Sequence, residues 1–447
     1  MHASITAAYL ARYRSAAADS PVELLPLTGA QRRFLITRRL APLTRSDVAP
    51  VFFAYPAGAL DLERLGRAAT TVAACHPALC GAFGTVRGTP VLRTGGPSVE
   101  VARLDVAPGA DTRQALREAL LDWPLDGPAL RLLVARQSDG GSDGGSDGGE
   151  DLLALALDHA ACDEQSLGVL VGELTEAYRR DDRSPATGPD PRAVADFREA
   201  VELQLAAEEA AAGPAAQAHW GRRLGGLTGA GGGAARTTGM LVERLPAVGG
   251  SARGAIFPAL LDAVGAAARR LHRAGGRSAG GRSAGGRPAD SSRTDGPLAL
   301  GYPWGGRPPG APAALGCFLN TLVHAVPTQP AADLEALCDD WWDDLDHAGT
   351  PFDEVVRAAR AAGSPWSGGL DAMLTFEDLQ RRPPLVLGGV PGREVDLDGR
   401  PLAAPMAVSA SHGEELTVRL AWDDERFPAA EAEAAFADLL AVLRRHL

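Results

Sequence analysis

The sequence predicts a mixed α/β (α+β) protein, and three observations carry that expectation. Short, near-continuous apolar runs have the length of strands buried on both faces: VFFAY at 51–55, ALRLLVA at 129–135 and LLALAL at 152–157. A fourth run, ELTVRLAW at 415–422, alternates instead and puts Leu416, Val418, Leu420 and Trp422 on one face. Helical stripes at spacings of three and four lie among them: Leu167, Leu170, Leu174 and Tyr178; Leu334, Leu337, Trp341 and Leu345; Phe436, Leu439, Leu440 and Leu443. The two periods alternate through both halves of the chain, which favours mixed layers over an all-helix or all-strand fold.

At 447 residues the chain exceeds one ordinary core, so two or three domains are expected. No apolar run approaches the ~20 residues that span a bilayer. The opening MHASITAAYLARYR lacks the apolar centre of a secretory signal. A cytoplasmic protein with no membrane partner is the expectation, and a monomer. The net charge of −12 disfavours nucleic acid. All 44 basic residues are arginine, which excludes Schiff-base and phosphate-loop lysine chemistry. The five cysteines, Cys75, Cys80, Cys162, Cys317 and Cys338, are scattered and odd in number. They suggest buried free thiols, with neither a disulfide framework nor a metal site.

Gly-rich tandem repeats at 138–151 (SDGGSDGGSDGGED) and 273–296 (RAGGRSAGGRSAGGRPADSSRTDG) have nothing to bury and read as flexible insertions. The first sits between two strands, as an enlarged hairpin loop would. A third stretch, GGLTGAGGGAARTTG at 225–239, reads as a hinge. The aspartates of DDWWDDLD, 339–346, fall between core positions of one helix and read as a solvated face.

The segment that can carry chemistry is LLALALDHAACDEQSLGVLVGEL, 152–174. A buried strand runs into Asp158 and His159, a turn leads to Asp163, and a helix follows. A polar group at the end of such a strand is held rigidly yet can be reached. The free N–H groups of the helix start can bind a carboxylate or oxyanion. Taken alone, a histidine in this place is more often a hydrogen-bonded structural residue than a base.

The stretch from Asp158 to Glu164 resembles the H-H-x-x-x-D-G motif of non-ribosomal peptide synthetase condensation domains, in the CoA-dependent acyltransferase superfamily. Other family motifs are resembled in the same order. TGAQRRFL, 28–35, is similar to the opening S-x-A-Q-x-R-L-W through Ala30, Gln31, Arg33 and Phe34. CHPALCGAF, 75–83, keeps His76, Leu79 and Phe83 of R-H-x-x-L-R-x-x-F. WPLDGPALRLLVAR, 123–136, and HWGRRLGG, 219–226, match the segments that precede the catalytic strand and end the first half. YPWGGRPPGAPAALGCFLNTL, 302–322, shares Gly306, Arg307, Gly316, Phe318, Asn320, Thr321 and Leu322 with the G-R…I-G-x-F-V-N-T-L region. HAGTPFDEVV, 347–356, resembles H-x-x-x-P-F-x-x-L-V, and LDAMLTFED, 370–378, the strand before the last motif. The resemblance runs through essentially the whole chain.

It implies two chloramphenicol-acetyltransferase-like lobes arranged as a V-shaped pseudo-dimer, with a tunnel between them. The expected division is an N-terminal lobe at 1–185, connecting helices and hinge at 186–240, and a C-terminal lobe at 241–447. His159 takes the place of the second motif histidine, expected to orient or deprotonate the acceptor as it attacks a thioester. Asp163 matches the motif aspartate, expected to pair with Arg307 of the other lobe and shape the turn. Asn320 and Trp304 would line the tunnel, although Asn320 could equally be a structural amide. No cofactor of its own is implied. The acyl donor rides on the phosphopantetheine arm of a carrier protein, acting in trans, or on CoA.

The sequence departs from the pattern at three places. Asp158 replaces the first histidine, either as a structural substitute or as a carboxylate that strengthens His159 as a base. Glu164 replaces the motif glycine and could narrow the acceptor entrance to the tunnel; some relatives with an acid there recruit partner enzymes instead of condensing. Cys75 and Cys80 replace two arginines and read as small buried residues of one helix. The last expected helix runs to the end of the sequence, which suggests a free-standing condensation enzyme forming an amide or an ester. The alternatives are a CoA- or carrier-dependent O-acyltransferase on a small alcohol, and a non-catalytic recruitment domain.

Overall fold

The structure is a computed structural model. It describes the chain apart from residues 1–3, 41, 43–46, 96–98, 108, 125–126, 138–148, 182–189, 229–237, 250–251, 280–295, 330–332, 380–381 and 398–400. The Gly-rich stretches therefore lie largely outside the described residues. Residues 273–279, expected in the second insertion, instead continue the helix Ala252–Ala279. No described helix is long and apolar enough to cross a membrane.

The chain forms two compact units. The first comprises Met1–Ala207 together with Gly306–Leu319 and Arg381–Leu397. Its five-stranded sheet runs in the order Arg393–Val395, Val48–Pro56, Glu150–Asp158, Leu130–Gln137, Glu100–Leu104. The central strand Glu150–Asp158 is antiparallel to both neighbours, with Leu155 opposite Val51 on one side and Leu132 on the other. The hairpin expected around the first insertion is present, pairing Gln137 with Glu150 and Leu130 with Leu157.

Residues 151–157 of that strand are all buried, because both sheet faces are covered. Leu153, Leu155 and Leu157 meet Leu167, Leu170 and Leu174 of the helix Glu164–Arg180 and Leu65 and Val72 of the helix Leu62–Ala74. Leu152, Ala154 and Ala156 face the other way, onto Leu116 and Leu120 of the helix Thr112–Leu121 and onto Trp123. Each apolar residue buried in this way stabilises by about 1.5–3 kcal/mol before entropy is counted. A rigid central strand is the result, and its carboxyl end carries Asp158 and His159.

The second unit comprises Glu208–Gly305, Asn320–Gln380 and Asp398–Leu447. Its six-stranded sheet has the order Leu319–Val326, Leu298–Gly305, Ala372–Asp378, Met406–His412, Glu415–Asp423, Thr238–Pro246. Ala372–Asp378 is parallel to both neighbours, and the last two pairings are antiparallel. In Glu415–Asp423, Leu416, Val418, Leu420 and Trp422 are buried, as the alternation requires. Gly239 lies opposite Trp422, where a Cβ would come within 2.2 Å of the indole. The expected stripes of the helices Leu334–Leu345 and Ala429–His446 face this core through Leu337, Trp341, Phe436, Leu439 and Leu443.

One residue of the acidic helix departs from the solvated face. Asp344 is 1% exposed. His219 Nε2 lies 2.9 Å from its carboxylate, and Arg223 donates two bonds of 2.9 and 3.0 Å. His347 packs over His219, centroid to centroid 4.3 Å. Burial pushes the His219 pKa down, against the pull of Asp344.

Candidate active site

The sheet extends its hold to the first residues of the turn. The backbone N–H of Asp158 donates to Ala129 O, and that of His159 to Asp47 O, both at 2.8 Å. His159 then opens a 3₁₀ turn, His159–Ala161, and is half-buried. The imidazole stacks on Phe34, with centroids 4.2 Å apart and planes at 18°. Phe34 belongs to the helix Gly29–Leu40. Three residues earlier on the same helix, Gln31 donates to Ala160 O at 2.8 Å. The TGAQRRFL segment therefore supports the histidine from one side and its turn from below.

Asp158 has a structural job. One oxygen accepts the Ala160 N–H at 2.9 Å and caps the turn. The other meets Arg38 at 2.5 Å, and Arg38 also reaches Asp47 at 2.7 Å. Arg38 and Asp47 are buried at 9% and 6% exposure. Burial acts to lower the Arg38 pKa, but the two flanking carboxylates together outweigh it and the pKa is raised. This triad ties the strand end, the loop before Val48 and the helix Gly29–Leu40 together.

Asp163 closes the other side of the turn and is 4% exposed. Oδ1 accepts the Ser166 N–H at 2.8 Å as the N-cap of the helix Glu164–Arg180. Oδ2 accepts the Phe318 N–H at 3.0 Å and lies 3.4 Å from Arg307 Nη1. Arg307 donates more closely to Ala314 O (2.9 Å), Gln165 Oε1 (2.8 Å) and Ser166 Oγ (2.8 Å), and covers the Phe318 ring at 4.4 Å. Ser166 Oγ in turn donates to Gly316 O at 2.9 Å and accepts the Gly316 N–H at 3.1 Å. The Asp163–Arg307 pairing is thus present, but Arg307 groups with the first compact unit, not with the second.

Glu164 is the first residue of that helix, where a negative charge is favourable. Arg382 donates to it at 2.8 and 3.1 Å, and also meets both oxygens of Glu394 at 3.0 Å. The acid in the motif-glycine position is therefore charge-paired.

Asn320 and Trp304 belong to the second unit and are accounted for there. The Asn320 amide donates to Ala348 O (2.9 Å) and Thr350 O (2.6 Å), and its oxygen accepts the Phe352 N–H at 3.1 Å. That is the structural-amide role, clamping the HAGTPF turn. Trp304 packs edge-on against Trp341 and Phe257, at 5.7 and 6.3 Å.

The cysteines correct one expectation in detail. Cys162 and Cys317 are buried, and burial pushes both thiols up, so neither is a thiolate nucleophile. Cys75 is exposed and Cys80 half-exposed; they sit at the end of one helix and in the next, not on one buried helix face. No group of three or more metal-ligating side chains occurs among the described residues. Arg38, Asp47 and Arg382 escaped sequence analysis. The family motif reaches Arg33 and Phe34 and stops short of Arg38, and a lone arginine or aspartate in a loop carries no pattern.

No family model matches the chain. Over 181 residues, 39% of the chain, it is 33% identical to a probable non-canonical nonribosomal peptide synthetase, CymA, of Salinispora arenicola (strain CNS-205). The match spans 2% of that relative's length. The starter condensation domain of rhizomide synthetase RzmA aligns with a TM-score of 0.63 at 16% identity, covering 94% of this chain and 96% of its own. A double mutant of that domain, in complex with C8-CoA and Leu-SNAC, aligns at 0.65 and 15% identity over 98% and 96%. The first condensation domain of the calcium-dependent antibiotic synthetase, with a substrate analogue, aligns at 0.63 and 18% identity over 95% and 96%. The chain has a mixed α/β fold. Within that class its fold is the one seen in the condensation domains of nonribosomal peptide synthetases.

Proposed function

We propose that the chain is a condensation-type acyltransferase that joins an acyl or aminoacyl thioester to an amine or hydroxyl acceptor. The observation that supports this best is His159. It is half-buried at the end of a fully buried strand, stacked on Phe34, in a turn fixed by two capping carboxylates. The imidazole accepts the acceptor's proton as its nitrogen or oxygen attacks the thioester carbonyl. The C–S bond breaks, an amide or ester forms, and the proton passes to the departing thiolate. A phosphopantetheine arm or CoA enters as the thiol part of the substrate, not as a resident group. Asp158, Asp163 and Arg307 position the histidine and do not touch the reacting atoms.

Glu164, the acid that suggests a recruitment role, is also compatible with this reading. It is paired by Arg382, and its helix-start position leaves its backbone in ordinary helical geometry. The test is intact-mass detection of acyl transfer from a loaded carrier, or from an acyl-CoA, to candidate amines and alcohols. Transfer by the wild type and its loss in His159→Ala are expected. Binding of partner proteins without transfer, or unchanged transfer in His159→Ala, would sink the proposal.

A further inference from the structure

A cleft on the second unit has no part in the chemistry above. It lies between the helices Ala252–Ala279 and Ala429–His446 and has a volume of about 520 Å³. That is within the range of small-molecule sites. Arg269, Arg270, Arg273 and Arg445 line it, with Glu431 and Asp438. Both acids face the same arginine: Arg270 lies 3.0 Å from Asp438 and 4.0 Å from Glu431. Four guanidinium groups thus line the cleft against two carboxylates, in a protein whose net charge is −12.

Arg269 marks the floor of the cleft. It is 9% exposed and makes no hydrogen bond or ion pair with any other described residue. Its Nη1 lies 3.4 Å from where a Cβ on Gly265 would stand, and Val326 Cγ1 lies 3.2 Å from that point. The guanidinium thus lies close over the helix backbone at Gly265. Burial pushes its pKa down, and the neighbouring Arg273 pushes the same way. Asp262 alone opposes them, and its carboxylate is already engaged by His446 Nε2 at 3.0 Å. An arginine keeps its charge even so, and the Arg269 guanidinium lines the cleft with no contact partner among the described residues. A bound anion would supply that partner. The flanking groups have donors to offer: Arg445 is exposed, and Arg273 gives one of its five N–H groups to Thr328 O at 2.9 Å.

We propose that this cleft binds a phosphate group, free or as an ester, with Arg269 as its buried anchor and Arg273 and Arg445 as flanking donors. A phosphate anion suits a cleft lined by more guanidinium groups than carboxylates, and planar guanidinium forks suit tetrahedral phosphate oxygens.

The test is calorimetric titration of the full chain at constant ionic strength with inorganic phosphate and, separately, with a nucleoside diphosphate. The same titrations are run on Arg269→Gln and Arg445→Gln. Saturable one-to-one binding is expected, weakened about tenfold or more in Arg269→Gln and severalfold in Arg445→Gln. The tighter probe identifies free or esterified phosphate as the source. Should Arg269→Gln not fold, Arg445→Gln, an exposed position, decides alone. No saturable binding of either probe, or affinities unchanged in the folded variants, would overturn the site.

Discussion

Asp163 accepts the backbone N–H of Phe318 at 3.0 Å, a shorter contact than its 3.4 Å approach to Arg307. The motif aspartate therefore anchors the segment Gly306–Leu319 through the main chain first and through the ion pair second. Asp163→Ala removes the helix cap, the Phe318 acceptor and the partner of a charge that is 11% exposed. The expected loss is about 3–5 kcal/mol of unfolding free energy, with turnover falling in parallel. Asp163→Asn keeps the cap but opposes an N–H to an NH₂ at Phe318, and should lie between. Wild-type urea midpoints in Asp163→Ala, with activity lost, would mean that the carboxylate acts in the chemistry itself.

His159 should behave in the opposite way. Its side chain is half-buried and packs on the Phe34 ring, so His159→Ala should lower transfer by about 10²–10⁴-fold and shift the unfolding midpoint far less than Asp163→Ala does. Phe34→Leu keeps the apolar contact and loses the flat face. As a positioning change it should lower kcat by severalfold with KM little altered, and equal losses in both parameters would count against it.

Arg38 joins two carboxylates that are far apart in sequence, at 2.7 Å to Asp47 and 2.5 Å to Asp158. Arg38→Met would remove the cation that the two acids share. A destabilisation of about 3–5 kcal/mol is expected, read by urea unfolding. Arg38→Lys should recover only part of it, because one ammonium cannot reproduce a fork that faces two acids. A variant as stable as the wild type would show that the triad does not hold the turn.

Glu164 allows its two readings to be separated. Arg382 keeps Glu394 when Glu164 is removed, and Glu164 is 39% exposed, so Glu164→Gly should cost little through the ion pair itself. Glycine at a helix start adds a few tenths of a kcal/mol. If the side chain restricts a long acceptor arm, transfer to a carrier-bound acceptor should rise severalfold in Glu164→Gly, with no change for a small free amine. Equal effects on both acceptors would assign Glu164 to the charge of the helix start alone.

Much of this arrangement was legible in the sequence, and the parts that were not share a physical reason. The central hairpin was visible because Leu130–Gln137 and Glu150–Asp158 are buried on both faces, so almost every position had to be apolar. The turn at His159 was visible because polar residues interrupt such a strand only at its end. Arg393–Val395 pairs at the sheet edge with only three residues, too few for a period of two to register. Asp344 was read as solvated because its neighbours are. It is buried because His219 and Arg223, on another helix, supply its partners. Asn320 bonds three backbone groups more than twenty residues away, and nothing local distinguishes that from a polar residue facing a ligand.

His324 links the core of the second unit to pH. It lies on the strand Leu319–Val326 and is buried at 8% exposure. Burial pushes its pKa down to about 4, and Arg223 acts in the same direction, while Asp344, Asp340 and Asp262 oppose them. In the unfolded chain the same imidazole titrates near 6.5. Above that value neither state binds the proton, and the folded protein keeps its full stability. As pH falls from about 6.5 to about 4, the unfolded chain takes up a proton that the folded one refuses. Stability should therefore decline through this window, by on the order of 3 kcal/mol at its lower end. Below about pH 4 both states are protonated, and this contribution stops changing. The check is the difference in urea midpoint between wild type and His324→Gln, measured across pH 4 to 7.5, because the carboxylates common to both cancel. A steeper acid decline in the wild type is expected; parallel curves would mean that the folded protein accommodates the charged imidazole.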